Sequence, residues 1–212
     1  MNDINLIHGD SLQAMKAMAD NSFDWAIVDP PYGIGADKEK YTPENHTWKG
    51  KKKVGYTSKD WDKEVPPKEY FDELKRVSKN QIVWGGNYFG LVGGYIFWDK
   101  KETMPTYSKG ELAWVSNMNK VDKYEFLWSG YKKQENEKRI HPTQKPVGLY
   151  KWILENYTSE GDLILDTHLG SGSIAIACHY MKRKLVGYEI DLEYYENACK
   201  RFKNETRQIA LW

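Results

Sequence analysis

The stretch that decides the fold is LILDTHLGSGSIAIACHYMKRKLVGYEID, residues 163–191. The apolar run Leu163–Asp166 enters a turn containing Gly170 and Gly172, and a helical pattern follows before a second apolar run ends at Glu189. Glycines after a strand let the backbone approach a ligand closely, and an acidic residue ending the next strand can accept both ribose hydroxyls. The pattern predicts an α/β fold with a nucleoside pocket, although a tight turn beside a surface glutamate is the alternative.

The turn also narrows the class of nucleoside. It lacks the third glycine of the dinucleotide pattern and the lysine that follows a P-loop, which disfavours NAD and ATP as ligands.

Short apolar runs recur along the rest of the chain, between helical patterns or polar loops. Strands alternating with helices predict a mostly parallel sheet, while the short spacers between residues 94 and 128 predict an antiparallel hairpin. The predicted strands are Ile4–His8, Trp25–Val28, Gln81–Trp84, Gly94–Trp98, Leu112–Val115, Tyr124–Trp128, Leu163–Asp166 and Leu185–Tyr188. Predicted helical faces span Leu12–Ala19, Val147–Tyr157, Ile174–Met181 and Tyr195–Phe202.

A second motif, Asp29-Pro30-Pro31-Tyr32, directly follows one of these strands. Two prolines end the strand and stiffen the backbone, at the sheet edge where ligands bind in open α/β folds. The Asp29 carboxylate and the Pro30 carbonyl could each accept one N–H of a base amino group, and Tyr32 offers a ring for stacking. A rigid turn with a local cap is the alternative interpretation.

The charge is balanced overall and uneven locally. Net charge is only +1, but residues 38–59 contain seven lysines against two glutamates. Residues 33–64 are polar and rich in glycine and lysine, which predicts a long functional or mobile loop without regular structure. Such basic runs suit phosphate contacts, although solvated loops share this composition. The predicted contacts are Lys49, Lys51, Lys52, Lys53, Lys132, Lys133 and Arg139.

The remaining composition indicates a protein of the cytoplasm. Cys178 and Cys199 fall in helical patterns without metal-ligand spacing, so we expect reduced core cysteines and no metal site. We find no signal peptide and no apolar run near the roughly 18 residues of a membrane span, so we expect no membrane association.

Four signatures occur in one order along the chain: Gly9-Asp10, Asp29–Tyr32, the tract His141-Pro142-Thr143-Gln144-Lys145-Pro146, and Asp166–Ser173 with Glu189. This order resembles the beta group of DNA amino-methyltransferases over nearly the whole chain. The resemblance implies a single catalytic domain, residues 1–212, with a Rossmann-like class I methyltransferase fold. Its mostly parallel sheet of seven strands, with an antiparallel hairpin, would be circularly permuted.

The resemblance also implies roles for individual residues, with S-adenosylmethionine as cofactor and DNA as partner. Asp10 would meet the cofactor's adenine, Glu189 its ribose, and Thr143 and Lys145 its methionine carboxylate. A lysine before a helix N-terminus is also a reasonable anion site on physical grounds. The full predicted cofactor set is Asp10, Asp29, Thr143, Lys145, Asp166, His168, Gly170, Gly172, Ser173 and Glu189, and the predicted catalytic set is Asp29, Pro30, Pro31 and Tyr32.

The chain departs from the family pattern in two places. Thr167-His168 stands where Pro-Phe is common, and only Ser129–Ile140 is available as a recognition region. Recognition of the DNA sequence would then come from this short loop, from residues 33–64, or from a partner. The resemblance associates Asp29 with adenine N6, with cytosine N4 as the alternative. Methylation of glutamine or RNA, and a DNA-binding pseudoenzyme, are further alternatives, and the family makes a homodimer plausible.

Overall fold

The computed structural model describes residues 3–35, 62–105, 107–128, 133–135 and 137–207, with the backbone of residues 47–48 and 51–52. Its strands are β1 (Ile4–His8), β2 (Phe23–Val28), β3 (Thr47–Trp48), β4 (Lys51–Lys52), β5 (Ser78–Trp84), β6 (Gly94–Asp99), β7 (Gly110–Val115), β8 (Val121–Glu125), β9 (Leu163–Asp166) and β10 (Lys184–Glu189). Its helices are α1 (Ser11–Lys16), α2 (Lys68–Val77), α3 (Val147–Tyr157), α4 (Ser173–Tyr180) and α5 (Leu192–Glu205).

Eight of these strands form one sheet in the order β1-β10-β9-β2-β5-β7-β6-β8. The first five run parallel, and β6 and β7 form an antiparallel hairpin, as the sequence predicts. Strand β7 is also antiparallel to β5. The sheet has one strand more than the seven expected, because β8 adds to the free edge of β6, parallel to it.

Gly94 allows this extra strand to form. The connection from β7 to β8 passes the start of β6, where the Gly94 N–H donates to the Met118 carbonyl at 2.7 Å. A Cβ at Gly94 would lie 2.7 Å from that same carbonyl, so the crossing requires glycine. The edge strand therefore depends on a close backbone approach that a strand pattern does not reveal.

Both faces of the central strand β2 are buried. Trp25 and Ile27 belong to a core cluster with residues of α3 and α4, whereas Ala26 and Val28 belong to a second cluster with residues of α1 and α2. Such burial on both faces is usual for parallel strands covered by helices. Because β2, β9 and β10 run parallel, their carboxyl ends lie at a single edge of the sheet.

Several elements differ from the sequence predictions. Helix α2 was not predicted, although Tyr70, Leu74 and Val77 are buried at helical spacing. Strand β8 begins and ends three residues earlier than expected, and α1 ends at Lys16. The short antiparallel pair β3–β4 lies within residues 33–64, where no regular structure was expected.

The two described ends of this 33–64 segment meet at Asp62. The side chain of Asp62 accepts the Gly33 N–H at 2.9 Å, and its backbone carbonyl accepts the Gly35 N–H at 3.1 Å. Asp62 is itself buried. The predicted mobility of the segment concerns residues outside the described ranges.

No helix in the described ranges is both long and apolar enough to cross a bilayer.

Candidate active site

The Asp29–Tyr32 motif lies directly beyond the carboxyl end of β2. The Tyr32 hydroxyl donates to Asp29 Oδ1 at 2.7 Å, and the Lys145 ammonium forms an ion pair with Asp29 Oδ2. Burial and the nearby carboxylates of Asp29 and Glu111 raise the pKa of Tyr32 well above its ordinary value. Tyr32 is therefore a neutral hydrogen-bond donor, and both oxygens of Asp29 have internal partners.

The ring of Tyr32 is packed on more than one side. Tyr88 stacks on it, with ring centroids 5.1 Å apart and planes within 15°. Gly85, which has φ +69°, lies so close that a Cβ there would overlap the Tyr32 ring. Phe89 meets the same ring edge-on at a centroid distance of 6.1 Å. The sequence suggested an open stacking face on Tyr32, but in the structure Tyr88 covers one.

Glu111, on β7, completes a chain of alternating charges that starts at Asp29. Its carboxylate lies 3.1 Å from the Lys145 ammonium and also pairs with Lys100. Burial alone would raise the pKa of Glu111, but Lys145 and Lys100 lower it to about 2. The sequence analysis missed Glu111, because nothing in its local pattern shows that β7 brings it beside Asp29.

Lys145, for which the resemblance implies a contact with the methionine carboxylate, forms ion pairs with two carboxylates of the protein. Its side chain is only 4% exposed and points to two carboxylates of the Asp29–Tyr32 side of the site. Burial alone would lower the pKa of Lys145, but Asp29 and Glu111 raise it, so the side chain is a cation. At the start of α3, where the sequence predicts an anion site, Glu137 accepts the Val147 N–H at 2.8 Å. The contact of Thr143 and Lys145 with the cofactor stays a prediction.

The glycine turn is joined to Glu189 by hydrogen bonds. Glu189 Oε2 accepts the Gly170 N–H at 2.8 Å, and Oε1 accepts the Asp191 N–H at 3.0 Å. Burial raises the pKa of Glu189 above its ordinary value. The carboxylate is thereby fixed at the rim of the turn, and each of its oxygens retains a lone pair for a further donor.

His168 stands beside the same turn and is oriented by two neighbours. Its Nδ1 lies 2.9 Å from Thr167 Oγ1, which is 2.6 Å from the hydroxyl of Tyr70 on α2. Burial lowers the pKa of His168 to about 4, although Asp10 raises it in part, so the ring is neutral near pH 7. Thr167 and His168 thus form a polar link to α2 where the family commonly has Pro-Phe.

Two pockets open on either side of Asp29. The first, about 290 Å³, is lined by residues that include Tyr32, Gly85, Tyr88 and Glu111. The second, about 240 Å³, is lined by residues that include His168, Gly170, Glu189 and Tyr194. Four residues line both pockets: Asp29, Pro31, Thr143 and Lys145. The acidic turn and the glycine turn, far apart in sequence, therefore face each other across one shared wall.

Ser173 lines the second pocket, whereas three other predicted cofactor residues lie outside both linings. Asp10 caps α1, accepting the N–H groups of Leu12 and Gln13. Gly172 is the N-cap of α4, with φ +72°, and packs against Ala198. Asp166 is buried and accepts the His168 N–H at 3.1 Å. In the structure, Asp10 and Gly172 are therefore N-cap residues of helices, and Asp166 stabilises the turn that follows β9.

The predicted phosphate contacts are only partly described. Lys49, Lys53 and Lys132 lie outside the described residues, as do the side chains of Lys51 and Lys52. Lys133 and Arg139 both lie over the buried ring of Trp128, at 4.9 and 5.3 Å from its centroid. Within the described part of the chain, no cluster of three or more His, Cys, Asp or Glu could hold a metal ion.

The sheet with its two joined pockets has the architecture of the class I methyltransferases. The chain superposes on the M1.HpyAVI–SAM complex with a TM-score of 0.59 and 23% identity, covering 93% of this chain and 99% of that one. It also superposes on the cytosine-N4-specific PvuII DNA methyltransferase with a TM-score of 0.60 and 14% identity, covering 99% and 90%. The predicted fold class is thereby confirmed.

Sequence comparison identifies the family. The family model for N6/N4 methyltransferases, described as DNA methylase, matches residues 95–200, which is half of the chain. The chain belongs to this family of DNA methyltransferases. A similar protein is the type II methyltransferase M.HpaI of Haemophilus parainfluenzae. The two are 26% identical over an alignment of 250 residues, which covers 96% of this chain and 75% of the relative.

Proposed function

We propose that this protein transfers the methyl group of S-adenosylmethionine to the N6 amino group of adenine in DNA. The observation that carries the proposal is the position of Asp29 on the wall that both pockets share. An acceptor for a base amino group then stands between a nucleoside pocket and an aromatic-lined pocket. A methyl group bound in the nucleoside pocket would therefore lie next to a base amino group bound in the other pocket.

The second pocket has the chemistry that S-adenosylmethionine requires. Glu189 presents carboxylate oxygens suited to ribose hydroxyls, and the backbone at Gly170 leaves room for close approach. His168 and Tyr194 add aromatic surface to the lining. S-adenosylmethionine supplies a methyl group on a positively charged sulfur, which is an activated donor. The protein's part is chiefly to position the two reactants, a contribution of up to about 7–11 kcal/mol.

The first pocket would receive the target base after it leaves the duplex, as base-modifying enzymes require. Asp29 and the Pro30 carbonyl would each accept one N–H of the amino group, which favours a tetrahedral nitrogen with a free lone pair. Tyr32 donates to one oxygen of Asp29, and each oxygen of a carboxylate can accept a further bond. The amino nitrogen would then face the shared wall.

Adenine is preferred over cytosine because the family resemblance associates an aspartate at position 29 with N6 methylation. The fold supports either base, since the structural neighbour from the PvuII system is described as cytosine-N4-specific. Cytosine N4 is therefore the second candidate. Glutamine and RNA as targets are disfavoured by the motif order.

The order of elements supports a circular permutation, which we also propose. The glycine turn follows β9, the third strand of the sheet order, although β9 comes near the end of the chain. By this interpretation β9 and β10 are the first two strands of the fold, with β1 and β2 as its third and fourth. The single catalytic domain, the homodimer, the cytoplasmic location and the lysine contacts to DNA stay predictions.

One experiment tests the proposal directly. The protein is incubated with labelled S-adenosylmethionine and unmethylated genomic DNA, and the nucleosides are identified by mass spectrometry after digestion. We expect N6-methyladenine from the unaltered protein and none from Asp29→Ala, while calorimetry shows near-normal cofactor binding in that variant. N4-methylcytosine would select the second candidate. Transfer to protein alone, or normal turnover by Asp29→Ala, would refute the proposed mechanism.

A further inference from the structure

The Lys145 ammonium is shared between two carboxylates that have different surroundings. One is Asp29, the proposed acceptor of the target amino group, and the other is Glu111, 3.1 Å away on β7. Lys145 is almost completely buried, and the ring of Trp84 lies under its ammonium at 4.8 Å from the centroid. Because little water screens a cation in this position, its electrostatic interactions with the two carboxylates are strong.

We propose that Glu111 is a positioning residue for the methyl transfer, acting through Lys145 on Asp29. This inference rests on the proposed function. Glu111 pairs with the same ammonium and accepts part of its hydrogen bonding. Lys145 can therefore orient Asp29 without fully neutralising the charge of the Asp29 carboxylate. Asp29 then remains a strong acceptor for the target amino N–H.

The geometry around Asp29 explains why this balance matters. Tyr32 donates to one oxygen of Asp29, and Lys145 donates to the other. Each further donor withdraws electron density and weakens the carboxylate as an acceptor for the base. An ammonium committed to Asp29 alone would be the strongest such donor, because charged hydrogen bonds are about twice as strong as neutral ones.

Lys100 fixes Glu111 from the opposite side. It forms an ion pair with Glu111 Oε1, while Lys145 meets Oε2, so both carboxylate oxygens have a cationic partner. The ring of Trp98 lies 4.9 Å from the Lys100 ammonium. Glu111 therefore remains ionised and stationary, which a residue that holds Lys145 in place must be.

This arrangement also separates two roles for Lys145. If Lys145 chiefly bound the methionine carboxylate, as the family resemblance implies, its loss would weaken cofactor binding. If it chiefly orients Asp29 under the control of Glu111, its loss would slow transfer at saturating cofactor. The two ion pairs of Lys145 with protein carboxylates favour the second role.

The test uses Glu111→Gln, which preserves shape and removes the charge. We expect single-turnover methyl transfer at saturating S-adenosylmethionine and DNA to slow by about tenfold or more, equivalent to about 1.4 kcal/mol in the barrier. The dissociation constant for S-adenosylhomocysteine should stay within about twofold, since none of the cofactor's proposed contacts is changed. Glu111→Asp, which restores a carboxylate, should recover part of the rate.

Glu125→Gln is the matched control. Glu125 lies on strand β8, which β6 separates from β7, and its side chain is half exposed. It pairs with Lys101 and Lys123, outside both pocket linings. It should transfer methyl groups at the rate of the unaltered protein.

Three outcomes would overturn the inference: an unchanged rate in Glu111→Gln, cofactor binding that weakens in parallel with the rate, or no recovery in Glu111→Asp. Lys145→Met provides a second variant if Glu111→Gln does not fold, with the same expectation of slow transfer and retained S-adenosylhomocysteine binding. An unaltered protein that transfers no methyl group to DNA would instead refute the proposed function itself.

Discussion

Tyr88 stacks on the ring of Tyr32, with centroids 5.1 Å apart and planes within 15°. Tyr88 is 52% exposed and lines the pocket proposed for the target base. An aromatic pair of this geometry contributes about 0.5–1.5 kcal/mol beyond its buried area. A base that stacks on the same face of Tyr32 must first displace Tyr88, so the ring of Tyr88 acts as a stand-in for the base.

We therefore predict that Tyr88→Ala increases capture of the flipped base. With 2-aminopurine at the target position, the fluorescence rise on binding should be larger than for the unaltered protein, by a few fold for a stacking term of about 1 kcal/mol. Tyr180→Ala, a similarly exposed tyrosine on α4, serves as the control and should show no change. A smaller rise in Tyr88→Ala would mean that Tyr88 holds the base instead of competing with it.

Gly85 permits the position of Tyr32, and its substitution should damage the site. An alanine there would need a backbone with φ +69° and would overlap the Tyr32 ring. We expect Gly85→Ala to lower the free energy of unfolding by about 2–4 kcal/mol, from backbone strain and overpacking together. Gly90→Ala is the control, because Gly90 has φ +65° but a Cβ added there would meet no described heavy atom within 4 Å.

Chemical denaturation and methyl transfer would both be measured for this pair. Gly85→Ala should lose more stability than Gly90→Ala, and only Gly85→Ala should slow transfer. Equal stability losses would show that strain alone matters at these positions, and that the Tyr32 contact adds nothing.

Glu189 should determine cofactor affinity. In Glu189→Gln, one end of the side chain becomes an amide NH₂ facing a backbone N–H, either of Gly170 or of Asp191. We expect the dissociation constant for S-adenosylhomocysteine to rise by about tenfold or more, since a lost bond to a charged group costs about 1.5–3 kcal/mol. Calorimetry measures this directly, with Glu193→Gln on the exposed first turn of α5 as control. Unchanged affinity would remove Glu189 from the cofactor site.

Asp166 should make stability depend on pH. Burial raises its pKa from 3.8 to about 8, so between these values the folded protein holds a proton that the unfolded chain releases. This contribution to stability is present at low pH and is lost as pH rises from about 4 to about 8, by up to 1.4 kcal/mol per pH unit. Asp166→Asn removes the titration and keeps an acceptor for the His168 N–H.

The unfolding free energy of Asp166→Asn, relative to the unaltered protein, should therefore increase between pH 5 and pH 8. Parallel denaturation curves at several pH values measure this difference. A difference that is independent of pH would show that Asp166 is ionised in the folded protein.

Much of the fold follows from local pattern, and the site follows less completely. Apolar runs ending in Asp29 and Asp166 predicted two parallel strands whose carboxyl ends share an edge, and the structure places them there. Strand boundaries and α2 depended on tertiary contacts that the pattern alone did not reveal, although the spacing of Tyr70, Leu74 and Val77 contained a signal for α2.

The contacts of the site were harder to predict than its members. Lys145 lies 116 residues from Asp29, and its pairing with Glu111 depends on β7 running between β5 and β6. The stacking of Tyr88 on Tyr32 depends on the turn after β5, where Gly85 allows close approach. Such relationships are set by sheet topology and backbone geometry, which do not leave a periodic signal in the sequence.

The attachment of both segment ends to Asp62 has a consequence for how such an enzyme can change its target. Gly33 and Gly35 both donate backbone hydrogen bonds to Asp62, so the chain leaves and rejoins the described fold at one place. We expect changes in the length or composition of the residues between Gly35 and Asp62 to leave the strand that presents Asp29 in place. The DNA contacts predicted for this segment could therefore change without altering the chemistry proposed at Asp29.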